Sequence, residues 1–282
     1  MISLTELKAL YRLYNFRPKY KLGQNFLIDG NIAHKIIDAC AITKEDVVLE
    51  IGAGFGQLTD GLAQRAKFVY AVEQDKLLCK ALEERLRPLE NVSIICGDFL
   101  ELKIADLLKG RKAKVVGNLP YYITTPVVLK LIEERKNISE IFLTMQKEVA
   151  ERFSAPPGTK AAGAITCRVR YYTLPTVLFH ISESAFYPAP EVGSTFLSLR
   201  VLDEPPVLVQ DEKLLFEIVR AAFAQRRKTL LNSLSGSAAL RVKKEGVLGL
   251  LSKVGVDPRR RAETLSLEEF AALANAWYNY QL

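Results

Sequence analysis

The sequence predicts an α/β fold: a doubly wound, mostly parallel sheet with one antiparallel edge strand, followed by a small all-α C-terminal domain. Three observations predict it. Short β-rich apolar runs recur at even spacing through about the first 200 residues. Helical stretches separate the early runs, which is the pattern of parallel strands covered on both faces. After about residue 200 the pattern is helical throughout.

The runs are Val47–Ile51, Phe68–Val72, Val92–Cys96, Ala113–Gly117, Ile141–Thr144, Val177–Ile181 and Phe196–Leu199. The helical stretches are Gln57–Ala66, Lys76–Leu86 and Pro126–Arg135. No long amphipathic helix lies between the last two runs, so they are expected to form an antiparallel edge. Asp203-Glu204-Pro205-Pro206 reads as a linker, which places one domain at residues 1–200 and another at 201–282. The second should hold helices near Glu212–Ala224, Lys228–Leu234, Lys243–Lys253 and Leu267–Trp277, with Ser266 and Glu269 as a capping box. Residues 155–160 read as an exposed, mobile loop.

The 282 residues are 49% hydrophobic and 25% charged, the balance of a soluble protein with a substantial core. No apolar run is long enough for a bilayer, and the first twenty residues carry no signal-peptide pattern, so a cytoplasmic protein without a membrane partner is expected. Cys40, Cys79, Cys96 and Cys167 show neither metal-ligand nor redox-motif spacing. With only two histidines, no metal site is expected, and the cysteines are read as reduced and near the core. The net charge is +7, yet Arg220 to Arg261 alone holds eleven basic residues against Glu245 and Asp257. The remainder is therefore slightly acidic. That asymmetry points to a polyanion partner, with solvated helix faces as the equal alternative.

The first run leads into Glu50-Ile51-Gly52-Ala53-Gly54-Phe55-Gly56. Gly52, Gly54 and Gly56 let the backbone turn and a ligand lie against it. A dinucleotide fingerprint would need a further glycine at Gln57 or Thr59, so that pattern fails. Glu50 would repel a diphosphate. It suits a cationic ligand such as the amino group or sulfonium of S-adenosylmethionine. Glu73, after the second run, sits where an acid can accept ribose hydroxyls. Asp98 could take an adenine amine while Phe99 packs on the purine. Their order predicts a nucleoside-containing cofactor.

The fourth run ends in Asn118-Leu119-Pro120-Tyr121, beyond a strand's carboxyl end, where open α/β sheets bind ligands. An aromatic exocyclic amine is a poor nucleophile because its lone pair is delocalised. The Asn118 oxygen and the Leu119 carbonyl can accept its N–H groups and free that pair. Pro120 stiffens the loop, and Tyr121 can stack on a base. Positioning and electrostatics would carry the rate.

These motifs resemble the ribosomal RNA adenine dimethyltransferases that modify two adjacent adenosines near the 3′ end of small-subunit RNA. The resemblance runs from Leu22-Gly23-Gln24-Asn25-Phe26-Leu27 through the glycine loop, Glu73, Asp98-Phe99 and the tetrapeptide. It continues in Met145–Arg152, Phe186-Tyr187-Pro188-Ala189-Pro190, Phe223–Leu230 and Arg261–Ser266. It implies a Rossmann-like methyltransferase domain that binds S-adenosyl-L-methionine through Gln24, Asn25, Leu27, Glu50, Gly52, Gly54, Gly56, Glu73, Asp98, Phe99 and Asn118. It implies that Tyr121 and Phe186 sandwich the unstacked adenine. The basic segment, with Arg226, Arg227, Lys228, Arg259, Arg260 and Arg261, would hold phosphates of small-subunit ribosomal RNA in an immature 30S particle. A monomer is expected. The chain departs from the family after Pro190, where Glu191-Val192-Gly193-Ser194 replaces the usual Lys-Val-Asp-Ser. Two alternatives stay open: a large-subunit RNA adenine dimethyltransferase, and a ribosome-assembly factor that binds the cofactor without using it.

Overall fold

Strand β2 (Val47–Ile51) is buried at every residue, and its sequence is apolar except at Glu50. The structure, a computed structural model, describes residues 1–19, 23–156, 158–225 and 227–281. The elements before β2 are helix α1 (Leu4–Leu13), strand β1 (Phe26–Leu27) and helix α2 (Gly30–Ala39). Alternation then follows as α3 (Thr59–Arg65), β3 (Phe68–Glu73), α4 (Lys76–Leu86), β4 (Val92–Cys96), α5 (Ile104–Leu108), β5 (Ala113–Asn118), α6 (Thr124–Glu133) and β6 (Ile138–Gln146). Next come α7 (Lys147–Ser154), α8 (Ala164–Tyr172), β7 (Thr173–Ile181), β8 (Phe186–Tyr187) and β9 (Ser194–Val201).

The main sheet has the order β4-β3-β2-β5-β6-β9-β7. β4, β3, β2, β5 and β6 run parallel, and β9 is antiparallel to β6. The antiparallel strand is thus one place in from the edge the sequence suggests. Burial explains it: β9 is covered from Ser194 to Leu199, whereas β7 shows the exposed pattern of an edge. β1 and β8 form a separate two-stranded pair with Phe26 opposite Tyr187 and Leu27 opposite Phe186.

Packing divides the chain into two compact units. One is Met1–Ala150 with Thr176–Val201; the other is Glu151–Pro175 with Leu202–Leu282. Residues 151–175, which the sequence assigns to the first domain, pack with the second. Tyr171 and Tyr172 explain this, since both rings meet Phe216 and both hydroxyls donate to Glu212.

The second unit contains α9 (Glu212–Phe223), α10 (Leu230–Ser235), α11 (Lys244–Lys253) and α12 (Leu267–Gln281). Leu215, Ile218, Leu230, Leu234, Leu251, Phe270 and Trp277 are fully buried within it. The capping box is formed: Ser266 N–H donates to Glu269 (2.8 Å) and Glu269 N–H to Ser266 Oγ (3.2 Å).

The cysteine expectation holds for two residues only. Cys40 and Cys167 are free and buried. Cys79 and Cys96 are bonded as a disulfide with Cα atoms 5.8 Å apart. They come together because parallel pairing sets Cys96 opposite Glu73, and α4, which begins just after Glu73, carries Cys79 in its first turn. Spacing along the sequence cannot show this. No helix among the described residues is long and apolar enough to cross a membrane.

Candidate active site

Parallel pairing aligns the carboxyl ends of β2, β3, β4 and β5, and a cavity of about 340 Å³ opens there. It is lined by every residue the sequence proposes for the cofactor except Gly56: Gln24, Asn25, Leu27, Glu50, Gly52, Gly54, Glu73, Asp98, Phe99 and Asn118. Gly52 and Gly54 have φ of +74° and +61°, the left-handed region where a side chain would be strained. Gly56, at φ +84°, sits behind the loop, where an added Cβ would stand 2.8 Å from Arg85 Nη1. The Arg85 guanidinium donates to the Phe55 and Gly56 carbonyls.

Glu50 is 2% exposed, and its Oε2 has no hydrogen-bond partner among the described residues. Burial raises its pKa to about 8; the nearby Thr59 hydroxyl and Arg85 oppose the rise, and the Glu73 carboxyl adds to it. An unpaired buried carboxyl facing a cavity is suited to a cationic ligand. Glu73 reaches across to the loop, accepting from Gly54 N–H (2.8 Å) on one oxygen and from Gln74 and Asp75 N–H (2.9 Å each) on the other. Burial still raises its pKa against those three bonds. Asp98 accepts from Leu100 N–H at 2.8 Å and so starts the short turn that carries Phe99 inward.

Two lining residues escape sequence reasoning. Asp75 accepts from Lys19 Nζ at 2.7 Å, and the Lys19 N–H in turn donates to Gln24 Oε1 at 2.9 Å. Four carboxyls and one ammonium therefore line the cavity. That balance disfavours a diphosphate and fits a nucleoside bearing a positive charge.

Asn118 ends β5 at the same cavity. Its Nδ2 donates to the Asn25 carbonyl (3.2 Å), which leaves Oδ1 as the acceptor turned to a ligand. Leu119 is buried, and among the described residues no hydrogen bond occupies its carbonyl. Pro120 packs under Gly23, so the first motif and the tetrapeptide meet. Tyr121 is held by a 2.8 Å hydrogen bond between its hydroxyl and Ser194 Oγ.

Comparison with known proteins agrees with this geometry. Residues 15–277 match the family described as ribosomal RNA adenine dimethylase. The chain belongs to that family. It is 46% identical over 275 residues to the ribosomal RNA small subunit methyltransferase A of Geobacillus thermodenitrificans (strain NG80-2), covering 95% of this chain and 94% of that protein. It is 43% identical over 272 residues to the namesake from Alkaliphilus oremlandii (strain OhILAs), with the same coverages. The crystal structure of a dimethyladenosine transferase from Plasmodium falciparum superposes with a TM-score of 0.76 at 26% identity, over 88% of this chain and 95% of that one. The 23S rRNA methyltransferase ErmE shares the fold, with a TM-score of 0.71 at 24% identity over 90% and 100% of the two chains.

Other features expected of a dimethylase are placed differently. Phe186 is 4% exposed and packs in a core cluster with Leu27, Ile181 and Phe196; it does not line the cavity. Tyr122, 53% exposed, does line it, while its neighbour Tyr121 does not. The basic residues divide. Arg260 holds Glu269 through both terminal nitrogens and donates from Nε to Thr264 Oγ1 at 3.1 Å, so it ties α12 to the preceding turn. Arg259 pairs with Asp257 at 3.0 Å but keeps an 86% exposed side chain. Arg227, Lys228 and Arg261 are exposed. Arg226 and Leu22 lie outside the described residues. Among those residues no group of three potential metal ligands gathers.

Proposed function

We propose that this chain transfers methyl groups from S-adenosylmethionine to N6 of two adjacent adenosines near the 3′ end of small-subunit ribosomal RNA, giving N6,N6-dimethyladenosine. The observation that carries the reading is one cavity lined both by Glu50, Glu73 and Asp98 and by Asn118. It stands in a chain 43–46% identical, over nearly its whole length, to small-subunit methyltransferases.

The residues fit the cofactor. Glu50 would take its ammonium, Glu73 its ribose, and Asp98 with Phe99 its adenine, while Gly52 and Gly54 leave room for it. When bound, it supplies a methyl group already activated on a sulfonium. Asn118 Oδ1 and the Leu119 carbonyl accept the target amine's two N–H groups and draw the nitrogen toward tetrahedral geometry, which frees its lone pair. After one methylation a single N–H remains for one acceptor, so a second round is chemically open. Tyr121, aligned by Ser194 outside the cofactor cavity, stacks on the base, while Phe186 stays in the core cluster with Leu27. Holding nitrogen and methyl in line supplies much of the acceleration.

Residues 1–150 with 176–201 serve the cofactor, and the unit that holds residues 202–282 serves the RNA, with Arg227, Lys228 and Arg261 as phosphate contacts alongside Arg226. The enzyme works in the cytoplasm, on the immature 30S particle, as a monomer; the cavity needs no residue from a second copy.

Mass spectrometry of nucleosides from each ribosomal RNA, with and without the protein, tests the proposal. Dimethyladenosine should appear in the small-subunit RNA only when the protein is present. Its appearance solely in large-subunit RNA would sink the choice of substrate. Cofactor binding with no transfer to either RNA would leave a binding-only assembly factor.

A further inference from the structure

Cys79 and Cys96 join the two strand ends that carry Glu73 and Asp98. Cys96 is the last residue of β4, directly before Gly97 and Asp98, and it is exposed. Cys79 lies in α4, which starts just after Glu73, and it is buried. Cys79 Sγ sits 3.3 Å from the Glu73 carbonyl oxygen, and Gly97 N–H donates to that same oxygen at 2.9 Å. The sulfur pair, the Glu73 backbone and the Gly97 backbone are thus one small cluster on the wall of the cavity. The other two cysteines differ. Cys40 and Cys167 are buried and unpaired, and burial pushes the Cys167 thiol up to about 12 and that of Cys40 higher still, which keeps both inert.

We propose that Cys79 and Cys96 form a reversible thiol–disulfide site whose oxidised state tightens cofactor binding by fixing the Glu73 and Asp98 strand ends. The proposal rests on the reading of the cavity as a nucleoside-cofactor site. Its oxidant is a low-molecular-weight disulfide. The Cys96 thiolate, the accessible one, attacks a sulfur of that disulfide and displaces one thiolate. The Cys79 thiolate then attacks Cys96 Sγ in the mixed disulfide and displaces the second. Two protein thiols are oxidised, one small disulfide is reduced to two thiols, and the two protons end on the leaving thiolates. In the dithiol state the Cys79 S–H can donate to the Glu73 carbonyl; in the disulfide it has no proton to donate, and a covalent link replaces that weak bond. Cytoplasmic disulfides are commonly transient and redox-sensing, and a pair with one exposed cysteine is open to exchange. Pre-fixing groups that must converge on a ligand removes an ordering cost from binding.

The test is calorimetric titration of the full chain with S-adenosylhomocysteine, after equilibration with oxidised glutathione and again after reduction by dithiothreitol. Intact mass and thiol counting accompany each arm. Expected are two free thiols in the oxidised arm, four in the reduced arm, and a Kd that rises on the order of fivefold on reduction. Cys96→Ser should bind with the reduced-state Kd in both arms; Cys79→Ala should do the same and checks the pair from its other side. Four free thiols in the oxidised arm, or a Kd unchanged between arms, would overturn the proposal. Absence of binding in both arms would instead overturn the reading of the cavity as a cofactor site.

Discussion

The strand ends of the first unit and the basic turns of the second are both marked in the sequence by residue type and spacing, yet they behave differently. At the strand ends, Glu50, Glu73, Asp98 and Asn118 converge on one cavity, although the outermost two are 68 positions apart in the chain. In the second unit, Arg259 and Arg260 are neighbours, yet the first leans outward beside Asp257 and the second is consumed by Glu269 and Thr264. Parallel strands explain the contrast. Successive strands in a parallel sheet deliver their carboxyl ends to one edge, so a residue at a strand end has its place set by topology. A charge on a turn has no such constraint, and local capping needs can claim it.

The contrast can be broken most sharply at Asn118. Asn118→Ala should lower methyl transfer by orders of magnitude while cofactor affinity stays within a few-fold, as read by single-turnover transfer and by calorimetry. Equal loss of both would mean that Asn118 serves the cofactor and not the amine.

A smaller effect separates the arginines. Arg260→Ala should cost about 1 kcal/mol of stability and lower the melting temperature, because it removes the bonds that tie Glu269 to the Thr264 turn. Replacing Arg227, Lys228 and Arg261 with alanine should leave the melting temperature alone. It should flatten the salt dependence of RNA binding, by about 0.7–0.9 in the log–log slope for each phosphate that is no longer neutralised. If Arg260→Ala kept its stability and lost only RNA affinity, the division drawn between these residues would be wrong.

The smallest effect concerns protons. With its pKa raised to about 8, Glu50 is mostly protonated at pH 7 in the free protein. A cationic ligand favours the charged form, so binding at pH 7 should release up to about one proton. Release should fade as pH rises past 8, where Glu50 is already ionised. Calorimetry in buffers of different ionisation enthalpy reads this directly. For the free protein the sign is set by a raised acid: its contribution is full below the ordinary carboxylate pKa and is lost as pH climbs through about 8. Glu50→Gln should therefore flatten that loss.

Legibility in the sequence follows the same division. β2 and β4 are bounded to the residue by their mainly apolar runs, although β4 is only partly buried. β6 and β7 extend well beyond their apolar cores, because polar residues such as Ser139, Glu140 and Thr176 alternate into them. Helices α1 and α2 do not stand out in the sequence, although Ser3 and Glu6 form a capping box and Asp29 caps the second. The Cys79–Cys96 bond and the Arg260–Glu269 pair are out of reach, as each depends on a chain reversal whose geometry exists only after folding. Phe186 reads in the sequence as a base-covering ring; its pairing with Leu27 turns it into the core.

That small two-stranded pair sets a schedule for biosynthesis. Phe26 and Leu27 leave the ribosome early, but their partners Tyr187 and Phe186 are about 160 residues further along. The Asn25 carbonyl that orients Asn118 belongs to the same N-terminal stretch. Strands β2 to β6 can assemble as they emerge, since each finds a neighbour already made. The segment before α2 meets Phe55 and Leu78 early, but β1 must wait until roughly two thirds of the chain has been translated before its pairing partners exist, and a contact that long-ranged forms late. The β1–β8 pair is therefore among the last parts of the molecule to form, so a stalled or truncated chain would hold Glu50, Glu73, Asp98 and Asn118 without the pair that follows Asn25.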